Sequence, residues 1–363
     1  MSRATCCDHL CHWVLLAVLL AVGLLLAAPR PTSADEKRSA QSRQARTAEV
    51  HKRYRDRILD LADVVGTGVS DDVTGRPVIR VFAAKEKVRG LPATLDGVPV
   101  EVELTGEIVA MGPPQSKARG GNSSAARAKI DPTTWFPRPV PIGISTGNIG
   151  ECSAGTIGCR ITDGFNVYAL SNNHVYALEN FAPLASVVLQ PGRYDTNCIA
   201  DPDDSIGVLY DFIPMNFDGL NNTVDAAIAL SSIDDLGTST PSNGYGLPKS
   251  AIVSAFVGQK VQKYGRTTSL TKGQVTTINA TVNVGYGSGT ARFVNQIIVQ
   301  SRKPVIKPGD SGSLLVTDPG RNPVGLMFAG TADGKLAVAN RIDLVLEAFD
   351  DPDEGIFMTI DGE

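Results

Sequence analysis

From Ile142 to Asp361 the chain breaks into short apolar runs: "GTIGCRIT", "NVYALSNN", "SVVLQ", "SIGVLYDF", "VDAAIALS", "QKVQKYGR", "ARFVNQIIVQ", "GSLLVTD", "PVGLMFAG" and "KLAVANRI". Glycine, asparagine, aspartate and proline lie between them. Many short strands at regular spacing, punctuated by turn residues, constrain this region to a β-sandwich or a β-barrel. The 36 glycines of the chain serve the same architecture, because a many-stranded fold needs tight turns. One late segment, "RIDLVLEAF", has helical spacing and closes the region.

The preceding residues read differently. Between Thr47 and Val64 the spacing predicts a helix, with Val50, Tyr54, Ile58, Leu61 and Val65 on one face and "KRYRDR" on the other. Residues 35–48 are polar and charged, and are expected to be poorly ordered. "VVGTGVS", "RPVIRVFAA" and "GVPVEVELTGEI" read as strands. Residues 35–110 are thus expected as a small α+β module, and 111–141 as a linker or wrapping arm whose end packs on the next domain through Trp135 and Phe136. Removal of 35–141 as a pro-segment and its retention as an accessory domain both stay open.

At the start, Arg3 precedes a charge-free run from Trp13 to Ala28 and a small-residue stretch ending at Ala34. This is the order of a secretory signal peptide, 1–34. The run falls short of the ~20 apolar residues of a spanning helix, so export with cleavage is favoured over anchoring. The expected location is secreted, periplasmic or cell-envelope, without stable membrane association afterwards. A net charge of −4 supplies no basic excess for nucleic acid. Outside the signal three cysteines remain, consistent with one disulfide and one free thiol. Cys152 with Cys159, flanking the turn-rich "SAGTIG", is the favoured pair, and Cys159 with Cys198 the alternative.

"KPGDSGSLLV", residues 307–316, sets Ser311 in a glycine-framed turn ahead of an apolar strand. A nucleophilic serine needs such a turn, with backbone N–H groups aimed at the developing oxyanion. Gly309 and Gly312 allow the backbone shape. An ordinary hairpin turn is the competing reading. Of the chain's four histidines only His174, in "YALSNNHVYA", lies in the same region as Ser311, so it is the candidate base. Asp225, in "NTVDAAIALS", is the candidate carboxylate, because a charge facing a core needs a partner. Asp204, in an acidic loop, competes with it.

The order His174, Asp225, Ser311, with "GDSG" and an all-β pattern, resembles the chymotrypsin-like (trypsin-like) serine peptidases of bacterial type over about residues 142–350. That resemblance implies a mainly β fold: a chymotrypsin-like double β-barrel with a C-terminal helix, preceded by the α+β module and occupying 142–363. It implies a serine endopeptidase acting on polypeptides through an acyl-enzyme, with the N–H groups of Gly309 and Ser311 as oxyanion hole. The strand "GLMFAG" resembles the one that binds the substrate backbone, giving Phe328, Ala329 and Gly330 that role. Val305 stands six residues before Ser311, where trypsin has an aspartate, so preference for Lys or Arg is not expected; a small or apolar residue is. "KYGRTTSLTKGQV" resembles the strand and turn that open the second barrel, with Arg266 expected to pin a loop. Two departures stand out. Val175 replaces the cysteine that follows the histidine in animal members, and Phe328 falls where a serine usually supports the aspartate. A second expectation is therefore a peptidase-like binding module without catalysis.

Other features point to no cofactor. "DTNCIADPDDS" gathers carboxylates but lacks the spacing of a calcium loop, so a solvated acidic loop is expected. Asn122, Asn221 and Asn279 match glycosylation acceptors. No zinc motif or phosphate loop appears.

Overall fold

Residues 33–112 and 130–363 are described by the computed structural model, and the apolar runs of the sequence form most of its strands. The predicted signal peptide through residue 32, Cys6, Cys7, Cys11, Asn122 and arm residues 113–129 lie outside the described residues. The chain divides into two units, Met1–Arg46 and Thr47–Glu363.

The first helix of the described residues runs Ser33–Leu59, starting earlier and ending sooner than expected. Residues 35–48 are helical rather than poorly ordered: their Ala, Glu, Lys, Arg and Gln are strong helix formers. Val65 belongs instead to the strand Val64–Asp71. Val50, Ile58 and Leu59 bury against Val64, Ile79, Val81 and Val98, so the helix is held by an apolar face.

An eight-stranded sheet builds the first barrel, in the order Thr359–Ile360, Cys159–Thr162, Val167–Ser171, Ala227–Ser231, Ser205–Phe212, Val187–Leu189, Ser145–Asn148, Gly155–Thr156. The run 155–162 pairs with Ser145–Asn148 at one end and with Val167–Ser171 at the other, which closes the ring. A twelve-stranded sheet contains the second barrel. There Gly289–Gln300, Leu336–Arg341, Pro323–Thr331, Leu314–Thr317, Lys260–Gly265 and Ser269–Tyr286 follow one another, and the last returns to the first. Closure pairs the ring strands with one another, while the long strand Ser269–Tyr286 and the strand Pro323–Thr331 keep stretches that pair outside the ring. The fold is thus the mainly β double barrel implied by the resemblance, and the helix Ile342–Glu347 buries Ile342, Val345 and Leu346 in the first barrel's core.

The N-terminal strands do not form a free-standing sheet. Val64–Asp71 pairs antiparallel with the long strand Ser269–Tyr286, and Pro77–Ala83 and Val98–Leu104 extend the sheet outward. An 18-residue strand outruns its barrel neighbours, and its open flank takes these partners.

Neither expected cysteine pairing forms; the disulfide joins Cys152 to Cys198. Cys159 opens a strand whose alternate side chains enter the first core, and it is a buried free thiol there, its pKa pushed up by burial. The loops carrying Cys152 and Cys198 are brought together instead, with Tyr194 N–H donating to Ser153 O at 3.2 Å. Among the described residues no helix is long and apolar enough to cross a membrane.

Candidate active site

The candidate base and its candidate carboxylate meet through strand register. Val167–Ser171 pairs antiparallel with Ala227–Ser231, Ser171 opposite Ala227, so two residues beyond the pairing Asn173 comes opposite Asp225. There the chain turns into the single helical turn Asn173–Tyr176, which carries His174. His174 N–H donates to Asp225 Oδ1 at 3.2 Å, and Nδ1 lies 2.5 Å from Oδ2. Asn172 holds the aspartate's backbone, its amide donating to Asp225 O at 2.7 Å. His174 thus bonds Asp225 and not Asp204.

Asp225 is fully buried, and it has a third donor. Tyr286 O–H bonds Oδ2 at 2.9 Å, and its ring lies edge-on to the imidazole. This tyrosine supplies the carboxylate with the hydroxyl donor that a serine was expected to give. Phe328 has no donor to offer and packs its ring on Phe293. Burial, then the neighbouring Asp225 charge, raise the Tyr286 pKa well above its ordinary value, so it stays a donor. Sequence reasoning missed Tyr286; a tyrosine at a glycine-rich hairpin carries no motif, and only pairing of distant strands brings it here.

A carboxylate on Nδ1 fixes that nitrogen as the protonated one and leaves Nε2 with its lone pair. Nε2 is buried and has no hydrogen-bond partner among the described residues.

The turn that carries Ser311 is locked from both barrels. Gly309 and Gly312 have φ of +95° and +90°. A Cβ on Gly312 would stand 2.2 Å from Ser171 Oγ and 2.3 Å from Thr156 O, so only glycine fits. Between them Asp310, wholly buried, accepts from the N–H groups of Thr267, Thr268 and Lys307 at 2.9–3.0 Å and from Thr268 Oγ1 at 2.6 Å. Lys263 Nζ, also buried, faces it at 3.3 Å; burial lowers the lysine's pKa and Asp310 opposes that. From the first barrel, Thr156 N–H donates to Ser311 O and Thr156 Oγ1 to Gly309 O, both at 2.8 Å. Arg266 forms a buried ion pair with Asp195, pinning the acidic loop as expected of it. Among the described residues no group of His, Cys, Asp or Glu is placed to hold a metal ion.

Ser311 Oγ lies 2.9 Å from Met111 O and 3.1 Å from Phe328 O, and its hydroxyl bonds these carbonyls rather than His174. Of the two expected oxyanion donors, Gly309 N–H donates to Met111 O at 3.1 Å. Phe328, Ala329 and Gly330 lie together on the strand Pro323–Thr331, with Val305 buried in an apolar cluster beside them. A groove of about 580 Å³ opens at the site, lined by His174, Leu178, Glu179, Phe181 and Tyr286.

Two closed β-barrels with a histidine–aspartate pair and a glycine-framed serine are the arrangement of chymotrypsin-like serine proteases, and the chain is similar to bacterial members of that group. It is 33% identical over 118 residues to Serine protease 2 of Streptomyces fradiae, covering 27% of this chain and 63% of that protein. It is 36% identical over 118 residues to Streptogrisin-A of Streptomyces griseus, covering 27% of this chain and 37% of that one. The match therefore spans less than two thirds of either relative. The family model described as the Nal1 C-terminal domain matches residues 215–347. Among solved structures, a glutamic-acid-specific serine protease is 22% identical with a TM-score of 0.43, covering 61% of this chain and 100% of that one. Thermobifida fusca protease A is 18% identical with a TM-score of 0.42, covering 58% and 95%.

Proposed function

We propose that the chain is an exported serine endopeptidase working through His174, Asp225 and Ser311. The observation that carries this reading is the buried His174–Asp225 pair, which leaves Nε2 unpartnered among the described residues, at a cleft where Gly309 N–H and the Ser311 hydroxyl share one carbonyl oxygen. Ser311 Oγ attacks a peptide carbonyl carbon, and Nε2 takes the hydroxyl proton. Asp225 holds the Nδ1–H tautomer and stabilises the imidazolium. The N–H groups of Gly309 and Ser311 receive the oxyanion. His174 gives its proton to the leaving amine, and water then repeats the sequence on the acyl ester. Phe328, Ala329 and Gly330 bind the substrate backbone, and Val305 contributes to an apolar specificity pocket. The Cys152–Cys198 bond agrees with an oxidising compartment.

Full-length chain treated with a fluorophosphonate is expected to gain one adduct, at Ser311, and to hydrolyse peptides; His174→Ala removes both. A folded chain that gains no adduct and cleaves no peptide on prolonged incubation, yet binds a polypeptide, refutes the proposal in favour of the binding module.

A further inference from the structure

The cleft already holds a peptide, and it is this chain's own. The strand Ile108–Ala110 pairs antiparallel with the backbone-binding strand: Ala110 opposite Ala329, Val109 opposite Gly330, Ile108 opposite Thr331. Met111 N–H continues the ladder, donating to Phe328 O at 3.0 Å. Extended pairing to a sheet edge is how a peptide gains main-chain affinity. At Met111 the ladder ends on the catalytic groups. Its carbonyl oxygen accepts from Gly309 N–H at 3.1 Å and lies 2.9 Å from Ser311 Oγ. The residues on either side, Ala110 and Gly112, line the same groove as His174. A single carbonyl thereby meets the candidate nucleophile and an oxyanion donor, and its two flanking residues share a groove with the candidate base.

The Met111 side chain is 2% exposed and lies in the buried apolar cluster of Val305, Ile306, Met327 and Ala337. A Cβ on Gly330 would come 3.0 Å from Met111 Cε, so the absence of a side chain at 330 leaves room for the methionine. Long, unbranched and flexible, methionine suits a narrow apolar slot, and a charged residue there would lose its hydration without a partner. Under this strand Ser311 is fully buried.

Building on the peptidase reading, we propose that the chain cleaves its own Met111–Gly112 bond and that its specificity pocket is built for methionine or a residue of that shape. Ser311 Oγ bonds to the Met111 carbonyl carbon and its proton passes to His174 Nε2. The bond to Gly112 N breaks, and that nitrogen takes the proton. Water then splits the ester, leaving the Met111 carboxylate and restoring the Ser311 hydroxyl. The geometry makes the first encounter intramolecular, so the cut needs no second copy.

The test follows full-length wild type and Ser311→Ala by gel, intact mass and N-terminal sequencing over a range of protein concentrations. The expected result is a fragment beginning at Gly112, formed at a rate independent of concentration, while Ser311→Ala stays joined with an unchanged melting profile. Met111→Leu should still be cut; Met111→Asp should be cut at least ~100-fold more slowly, since its carboxylate would have to enter an apolar pocket. Because Met111→Asp can also disturb folding, the wild-type chain is given the peptides Ile-Val-Ala-Met-Gly and Ile-Val-Ala-Asp-Gly, and only the first should be split, after methionine. If Ser311 accepts the fluorophosphonate and added peptides are hydrolysed, yet the chain stays joined at 111–112 or starts elsewhere, this inference falls and the peptidase reading survives. A cut that persists in Ser311→Ala belongs to another protease and overturns it as well. No labelling and no cut overturns both.

Discussion

Replacing Asp225 by asparagine changes one atom in a carboxylate that meets three donors: His174 N–H on Oδ1, and Nδ1–H and Tyr286 O–H on Oδ2. An amide has one oxygen and one NH₂. With its oxygen at the Oδ2 place, the NH₂ would face the His174 N–H, donor against donor. With NH₂ there, its oxygen keeps the His174 N–H, Tyr286 turns to accept, and Nδ1 becomes an acceptor. The second arrangement pairs both halves of the amide and leaves only the Tyr286 hydroxyl hydrogen without its acceptor, so it wins and the fold is kept. It also moves the imidazole proton to Nε2, the atom that has to accept the serine's proton. The loss in kcat expected from a wrong tautomer is about 10⁴-fold, roughly 5 kcal/mol of barrier. Tyr286→Phe is the contrast. It takes one donor from a buried charge, for about 1.5–3 kcal/mol of stability, but that bond exists equally before and during the reaction, so kcat should fall less than about tenfold. The assay is steady-state hydrolysis of a chromogenic methionyl peptide, with thermal melting alongside. Turnover by Asp225→Asn within tenfold of wild type, in a protein that melts normally, would refute the assigned role of the aspartate.

Three further outcomes follow from particular contacts. Gly312→Ala should fail to accumulate as folded, labelable protein, because its Cβ overlaps Ser171 Oγ and Thr156 O at a φ of +90°; circular dichroism and fluorophosphonate labelling report it. His51, pushed down to about 4 first by burial and then by Arg55, binds fewer protons folded than unfolded between about 4 and 6.5. Stability should therefore be lost as pH falls through that window, by about 3 kcal/mol in all, and His51→Gln should flatten the dependence of the urea midpoint between pH 4 and 7. Cys198→Ser opens a loop with a sequence separation of 46, for a loss of up to about 4 kcal/mol on chain-entropy grounds, measured by denaturant unfolding; Cys159 should meanwhile resist alkylation until the chain unfolds.

Much of the site was legible because its groups leave local traces. Ser311 sits in a turn whose glycines answer a backbone need, and His174 is singled out by the scarcity of histidine. Asp225 shows as a charge inside an apolar run, and the structure buries it against His174. Short spacing favours Cys159 as a disulfide partner, whereas strand alternation turns that side chain into the core. Residues 35–48 are polar enough to suggest disorder, but their helix propensity prevails. Tyr286 left no trace, since its only qualification is where a distant hairpin ends.

Apolar alternation and turn residues by themselves determined a many-stranded β fold, and residue type and chain order singled out the three candidate catalytic groups. Those are properties of short windows, set by side-chain chemistry and backbone preference. Only the tertiary structure decided what supports Asp225, which cysteine partners Cys152, and that Ile108–Met111 lies across Ser311. Each of these depends on long-range strand pairing, whose register is set by how whole sheets close and bury their faces. No window of sequence contains both halves of such a contact.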